Sequence, residues 1–376
     1  ILFSQPERDY SVFGALTWNL TRRLKLTGGV RGTEARKTYN YSLSWGGATQ
    51  LYGGVIPYPG SLCSETTPAT GLEATVGSAF AAPACAFTGT RSDRDWFPST
   101  NIQYQIDPRK MIYLRFDQSF LAGGFNGTDT TGNASNIPYR PEYVNAYELG
   151  LKTTWLNNRL RLNFDVFRMD YRDLQAFEEE INPVTSFVSS TVQNAAAARS
   201  QGVEAEVEWA ITDRLRLSSN VSYLEAIYLN YRNAPPTYLD NFCRINYASN
   251  ADCRQRFPSG IGLSVDMSGQ QLPLAPRWSG NLMGTYLQPL PGGYVLTTEV
   301  DGYVSSAWHE NLLDQMSGGY AVLNGTLGLK TPNGRWSFNI IVKNLADRVY
   351  GLGNPSGPYG IMAQPRTVLG QIFYQY

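Results

Sequence analysis

From Val203 to Ile211 the chain alternates without a slip: Val203, Ala205, Val207, Trp209 and Ile211 fall on one parity, Glu204, Glu206, Glu208 and Ala210 on the other. Successive side chains of a strand point to opposite faces, so a row of carboxylates here opposes a row of apolar groups. Such a strand has water on one side and hydrocarbon or a protein core on the other. The C-terminal stretch PRTVLGQIFYQY (365–376) repeats the pattern, with Tyr376, Tyr374, Ile372, Gly370 and Val368 on one face and Gln375, Phe373 and Gln371 on the other. An outer-membrane barrel meets that greasy face with lipid and places the terminal aromatic in an interfacial girdle, although a soluble sandwich can also end on such a strand.

The same alternation recurs along the chain in about thirteen strand-like segments, with no convincing helix. They are 9–21, 24–44, 95–106, 110–120, 143–156, 159–181, a long strand closing in 203–211, then 214–231, 277–289, 293–306, 320–331, 335–349 and a last one from Gln364. Tight connections (Thr21-Arg22, Asp107-Pro108-Arg109, Asn157-Asn158, Thr212-Asp213, Pro291-Gly292-Gly293, Pro332-Asn333-Gly334) alternate with loops of up to about 50 residues. Short turns on one rim and long loops on the other are the pattern of an outer-membrane barrel with periplasmic turns and surface loops. Counting back from a periplasmic C-terminus puts every short turn on that side and residues 1–8 in an extracellular loop. An odd strand number is unusual for such a barrel, which leads to the expectation that the front of the protein is missing.

Composition narrows the class. Aromatic residues reach 13% while only 16% of residues are charged, and Lys plus Arg balances Asp plus Glu at 31 each. There is thus no global charge to attract nucleic acid. No apolar run approaches the length of a transmembrane helix; the most apolar window, AFAAPACAF (79–87), is broken by proline. Modest hydrophobicity suits a barrel, in which only alternate residues face lipid. The opening ILFSQPERDY is neither basic nor followed by an apolar stretch, so it is not a signal peptide and the chain is expected to begin partway through a longer polypeptide.

The 4 cysteines form two local sets, Cys63 with Cys85 and Cys243 with Cys253, each in a long loop rich in Pro, Ser, Thr and Asn. Pairing within one loop is the disulfide pattern of an oxidising space such as the periplasm or cell surface; free thiols are the alternative. Metal ligation is disfavoured, because His309 is the 1 histidine and no CxxC spacing occurs.

Several segments resemble TonB-dependent outer-membrane receptors. SFLAGGFNG (119–127), YRPEYVNAYELGLKTTWL (139–156) and the strand after it, ARSQGVEAEVEW (198–209), NLADRVY (344–350) and PRTVLGQIFYQY occur in that family's order over nearly the whole chain. The resemblance implies a barrel of about 22 strands that encloses an N-terminal plug and carries a short TonB-contacting box. On that reading this chain is the C-terminal part of an all-β, antiparallel, up-and-down transmembrane barrel, with plug, box and first strands absent. It further implies active uptake of a scarce bulky nutrient (a siderophore-iron complex, vitamin or oligosaccharide), energised by the TonB-ExbB-ExbD complex through the absent N-terminal region. A passive pore or structural barrel is the alternative.

No catalytic constellation or cofactor motif emerges. His309 lies in AWHENLL, without the following serine of a His-x-Ser phospholipase arrangement. Glu178-Glu179-Glu180 reads as a solvated hairpin tip before it reads as a cation site. The glycines of LAGGFNG precede no helix and no Lys-Ser/Thr pair, so they form no phosphate loop. Tyr52, Arg232, Tyr238 and Trp308 are loop residues able to contact a substrate, though each reads first as a girdle or loop-packing residue. Facing follows from parity: Trp18, Trp155, Trp209 and Trp336 toward lipid, Glu204, Glu206, Glu208, Lys152 and Lys343 toward the lumen.

Overall fold

In the computed structural model, residues 2–42, 50–51, 54–55, 86–127, 138–181, 188–232, 234, 266–309, 316–356 and 359–376 are described. They build one antiparallel 14-stranded sheet in which each long strand pairs with its sequence neighbours. The long strands are β1 Glu7–Asn19, β2 Leu24–Ser42, β3 Ala86–Asp107, β4 Lys110–Leu121, β5 Glu142–Trp155, β6 Leu160–Ile181 and β7 Val188–Ala210. They continue as β8 Leu215–Asn230, β9 Trp278–Pro289, β10 Val295–Ser305, β11 Tyr320–Lys330, β12 Trp336–Lys343 and β13 Thr367–Tyr374. Leu2–Ser4 supplies the remaining strand, pairing with β2 beyond the end of β1. Residues 2–4 and 7–8 therefore extend the wall, where the sequence led us to expect loop; only Gln5 and Pro6 interrupt it, because proline cannot donate to a ladder.

The tight connections hold themselves by local side-chain bonds. Thr21 Oγ1 accepts from the amides of Arg23 (3.1 Å) and Leu24 (3.0 Å), and Thr212 Oγ1 does the same for Arg214 (3.2 Å) and Leu215 (2.9 Å). The turn at Leu156, Asn157 and Asn158 runs through left-handed backbone, with φ of 51°, 53° and 70°, a region asparagine tolerates. All the tight turns lie on one rim and every longer connection on the other.

Register partners in an antiparallel ladder share a face, so the two faces can be traced strand by strand. One face carries the row Trp18, Leu26, Ile102, Leu114, Leu149, Val166, Val203, Tyr223, Trp278. A second row on that face runs Trp155, Leu160, Trp209, Leu217, then Val300, Val342 and Val368 across intervening glycines. The opposite face carries Lys25, Gln103, Tyr113, Asp165, Glu204, Ser222, Ser279, Ser305 and Tyr320. Trp18, Trp155, Trp209 and Trp336 thus lie on the apolar face, and Glu204, Glu206, Glu208, Lys152 and Lys343 on the polar one. The apolar face stays open: Val12 is 64% exposed, Val368 65% and Ile372 66%. A contiguous exposed apolar surface of that extent needs hydrocarbon against it. No described helix is long and apolar enough to cross a membrane, which says nothing of strands.

Two boundaries differ from the sequence reading. β3 begins nine residues earlier than its apolar pattern shows, because the ladder continues through residues 86–94, where Arg91 and Asp93 on one face and Ser92 and Arg94 on the other leave no apolar period. β12 stops at Lys343 and not at Val349, for Asn344 (φ 52°) and Asp347 (φ 51°) turn the chain. The buried Asn344 fastens that corner by donating from Nδ2 to the carbonyls of Arg348 (2.9 Å) and Gln364 (3.3 Å) and accepting from the Arg348 amide (2.9 Å).

Candidate functional site

The polar face is a network and not a bare wall. Asn163 Nδ2 donates to Glu206 Oε2 at 2.7 Å, Arg161 pairs with Glu208 at 3.2 Å, and Asn324 Nδ2 donates to Asp301 Oδ2 at 2.8 Å. Two glycines of the family-like segments create room here. A Cβ at Gly150 would come within 2.2 Å of the Tyr113 ring; the ring lies across the glycine and its hydroxyl donates to Glu148. A Cβ at Gly202 would come within 2.2 Å of the Tyr223 carbonyl and 2.9 Å of the Phe167 ring. Tyr113, Lys152, Asn163, Asp165, Glu204, Glu206, Asn220, Asn281 and Tyr303 share one hollow of about 500 Å³.

Toward the loop rim the same face changes character. Tyr303 and Tyr320 project from β10 and β11 with centroids 5.7 Å apart, Tyr320 stacks on Tyr350 at 4.4 Å, and Trp308 meets Tyr320 edge-on at 5.9 Å. Rings at such distances hold a fixed shelf by offset and edge-to-face contact. Trp308 is 7% exposed, so it backs the shelf while the tyrosines present it.

On the opposite side, residues 122–127 leave β4 and strap across the polar face. Asp93 Oδ2 takes both the Arg91 Nε (2.8 Å) and the Gly123 amide (3.0 Å). Phe125 stacks on Tyr39 of β2 at 4.9 Å, and the Tyr39 hydroxyl donates to the Asn126 carbonyl at 3.1 Å. The Asn126 amide then exchanges two bonds with Val192 of β7, 2.9 and 2.6 Å. LAGGFNG is thus a structural strap. Burial pushes the Tyr139 phenol, packed against it, up from its ordinary value.

Of the residues singled out from sequence, Trp308 is part of the shelf. Arg232 is exposed just past β8; its charge adds to the Ser268 hydroxyl and amide bonds that hold the Asp266 carboxyl below the usual range. Tyr52, Tyr238, Cys63, Cys85, Cys243 and Cys253 lie outside the described residues, as do the side chains of Glu178, Glu179 and Glu180. The shelf tyrosines were missed because β10, β11 and the 344–350 corner meet only through strand register. A partial signal existed: Tyr303 shares the parity of Asp301 and Ser305, while Tyr320 reaches the same face only through its register with Ser305. Among the described residues, no group of three or more His, Cys, Asp or Glu stands together to hold a metal ion.

A sequence profile described as "TonB dependent receptor-like, beta-barrel" matches residues 3–345. The metal-pseudopaline receptor CntO of Pseudomonas aeruginosa is 29% identical over 189 residues, which is 50% of this chain and 20% of that protein. The pesticin receptor of Yersinia pestis is 23% identical over 361 residues, 95% of this chain and 42% of its own length. The solved structure of the ferric yersiniabactin uptake receptor FyuA from Yersinia pestis superposes with a TM-score of 0.67 at 17% identity, covering 98% of this chain and 45% of that one. The siderophore receptor PiuA from Acinetobacter baumannii gives 0.68 at 18%, with 99% and 44% coverage. The chain spans less than half the length of these relatives. An antiparallel wall with one greasy and one polar face, matched by the family profile over most of its length, belongs to the TonB-dependent receptor β-barrel family of the Gram-negative outer membrane.

Proposed function

We propose that this chain is the C-terminal wall of an active outer-membrane transporter that takes up a scarce bulky nutrient, a siderophore-metal complex foremost. The family match over residues 3–345 carries the reading. Two geometric features support it. Among the described residues the wall is open, since β1 and β13 each pair on one edge only, and unpaired backbone in hydrocarbon costs several kcal/mol per group. Further strands therefore close it, from the same polypeptide or a second one. A barrel of about 22 strands is wide enough to leak unless its lumen is filled, so a plug occupies the polar face. Moving that plug takes energy from outside a membrane that holds no potential of its own, and the TonB-ExbB-ExbD complex supplies it through contacts outside this chain.

Tyr303, Tyr320 and Tyr350, backed by Trp308, form the shelf on which an aromatic or chelate-bearing substrate rests before entry; Arg232, Tyr52 and Tyr238 are further loop contacts. Its named relatives are receptors, which favours binding and transport over catalysis. Uptake of a ferric siderophore by cells carrying the full-length protein should fall to background when TonB is deleted or the inner-membrane proton gradient is dissipated. Unchanged entry in both cases would replace this reading with a passive pore. Substituting Tyr320→Ala should weaken substrate binding by about 0.5–1.5 kcal/mol, as measured by titration on whole cells.

A further inference from the structure

The apolar face does not stay apolar to the loop rim. On β1–β3 the parity that carries Trp18, Val12 and Tyr10 continues to Arg8, Glu34, Arg36, Ser92 and Arg94. Glu34 Oε1 accepts from Arg36, from Arg94 at 2.7 Å and from Ser92 Oγ at 3.0 Å. On β6–β7 the parity of Phe164, Val166 and Val203 continues to Arg168, Asp170 and Arg199. There Asp170 pairs with Arg168 at 2.9 Å and Arg199 at 2.7 Å. The same unit, a carboxylate between two arginines, thus occurs twice on the face that meets lipid.

Both units sit at one height. Leu24 to Glu34 and Leu160 to Asp170 span equal numbers of residues from the turn rim. At about 3.3 Å per residue and a tilt of roughly 40°, that stretch climbs about 25 Å, the height of a barrel's apolar band. Aromatic side chains mark the boundary just below: Tyr10 and the 64% exposed Trp96 under the first unit, Phe116 and Tyr147, 5.1 Å apart, under the second. Trp and Tyr collect at the headgroup level, so the arginines lie in the headgroup layer on the loop side.

In the Glu34 unit the carboxylate is the sheltered partner and the cations point outward, whereas in the Asp170 unit Arg168 alone does so, Arg199 being as sheltered as Asp170. Side-chain exposure is 22% for Glu34 against 55% for Arg36 and 64% for Arg94. A guanidinium has five N–H donors and one carboxylate contact leaves most of them directed at solvent. Arg8, in register with Arg36, adds a third cation around the single Glu34. The β6–β7 unit carries less excess charge, because Glu225, held by Gln201 at 2.7 Å, lies one strand further on the same face.

We propose that these two units are binding sites for the phosphate groups of anionic glycolipid headgroups in the outer leaflet, the Glu34 unit being the stronger. Phosphate oxygens accept bidentate bonds from arginine, and each carboxylate pre-aims two guanidinium groups that would otherwise be mobile. The acyl chains of the same lipid would lie on the apolar rows beneath, so one molecule engages both the charged and the greasy part of this face.

The test uses the full-length protein in phosphatidylcholine vesicles doped with bisphosphorylated lipid A, with dephosphorylated lipid A as the paired probe. Lipid retained per protein after mild extraction is the readout. Retention of the phosphorylated probe should fall by about fivefold per arginine removed, more for Arg36→Gln with Arg94→Gln than for Arg168→Gln with Arg199→Gln. The dephosphorylated probe should show no such dependence, and Arg161→Gln on the polar face should change neither. Glu34→Gln removes a competing negative charge together with the anchor that aims the two arginines, so it should change retention far less than loss of the arginine pair. Equal retention of the two probes, or a fall with Glu34→Gln as large as with the arginine pair, overturns the proposal; so does displacement of the lipid by millimolar inorganic phosphate, which would mark a general anion site.

Discussion

The wall has a tall part and a low part. β2, β3, β6 and β7 run to 19, 22, 22 and 23 residues, whereas β10, β11, β12 and β13 have 11, 11, 8 and 8. A strand needs roughly 9–11 residues to cross a bilayer when tilted, so the low part is one membrane crossing at most. The tall part climbs about as far again beyond it. Above the lipid nothing but protein can cover a side chain, and most of the buried residues cluster there: Ala35, Tyr39, Phe97, Phe125, Ala198, Ala226, Tyr228 and Tyr231. One wall thus relies on lipid for stability in its lower half and on a protein core in its upper half.

The largest expected effect separates those two sources of stability. Val203→Arg in the apolar row should cost about 2–4 kcal/mol in equilibrium unfolding of the full-length protein into lipid, and Leu327→Arg in the low part a similar amount. Gln201→Arg, one step up the same face of β7, should cost at most about 1 kcal/mol. Equal costs at Val203 and Gln201 would place the membrane boundary elsewhere and dissolve the distinction.

Next comes the contribution of the long connections that follow β2 and β8. The pairs Cys63–Cys85 and Cys243–Cys253 should map as two disulfides with almost no free thiol under denaturing, non-reducing conditions. Each should stabilise its closed segment by about 3 kcal/mol on the chain-entropy account. A peptide joining Cys63 to Cys243 would refute local pairing.

Glycines sharpen the contrast further. Gly202→Ala, where a Cβ meets the Tyr223 carbonyl at 2.2 Å, should destabilise by about 1–3 kcal/mol. Gly370→Ala on β13, with nothing within 4 Å, should be close to neutral in the same unfolding measurement. The smallest effect is at the low part's corner. Asp347, exposed, accepts from the Arg366 amide at 2.9 Å and pairs with its guanidinium at 3.3 Å, which together hold its carboxyl below the ordinary value. A lowered native pKa means the contact contributes fully above the unfolded value of about 4 and is lost as pH falls through the native one. Amide exchange at Arg366 should therefore lose protection on acidification and not on raising the pH.

Alternation made the membrane-crossing part of every strand legible, because lipid imposes the period-two pattern there. Where the wall leaves the bilayer that pressure vanishes, so residues 86–94 read as loop although they form ladder. The Lys343–Val349 stretch erred the other way, its spacing still strand-like while Asn344 and Asp347 adopt left-handed backbone. The shelf and the strap were harder still. Tyr320 meets Tyr350, and Asn126 meets Val192, across long sequence separations that only the completed register brings together. Of the arginine units only one strand's share is legible in sequence: Phe164, Val166, Arg168 and Asp170 keep one parity, and the break from apolar to charged marks where the bilayer ends, while Arg94 and Arg199 join through register.

The one-sided placement of the tight turns also sets a timetable for folding. β1 with β2, β3 with β4, β5 with β6, β7 with β8, β9 with β10 and β11 with β12 are joined by a few residues each, while residues 43–85 separate β2 from β3. Closing that longer connection costs about 2 kcal/mol more than closing a turn, and hairpins form within about 1–10 μs. The wall is accordingly assembled from ready-made pairs, with the slow steps at the seams between them, and the seam at residues 43–85 is the one that a Cys63–Cys85 link would shorten.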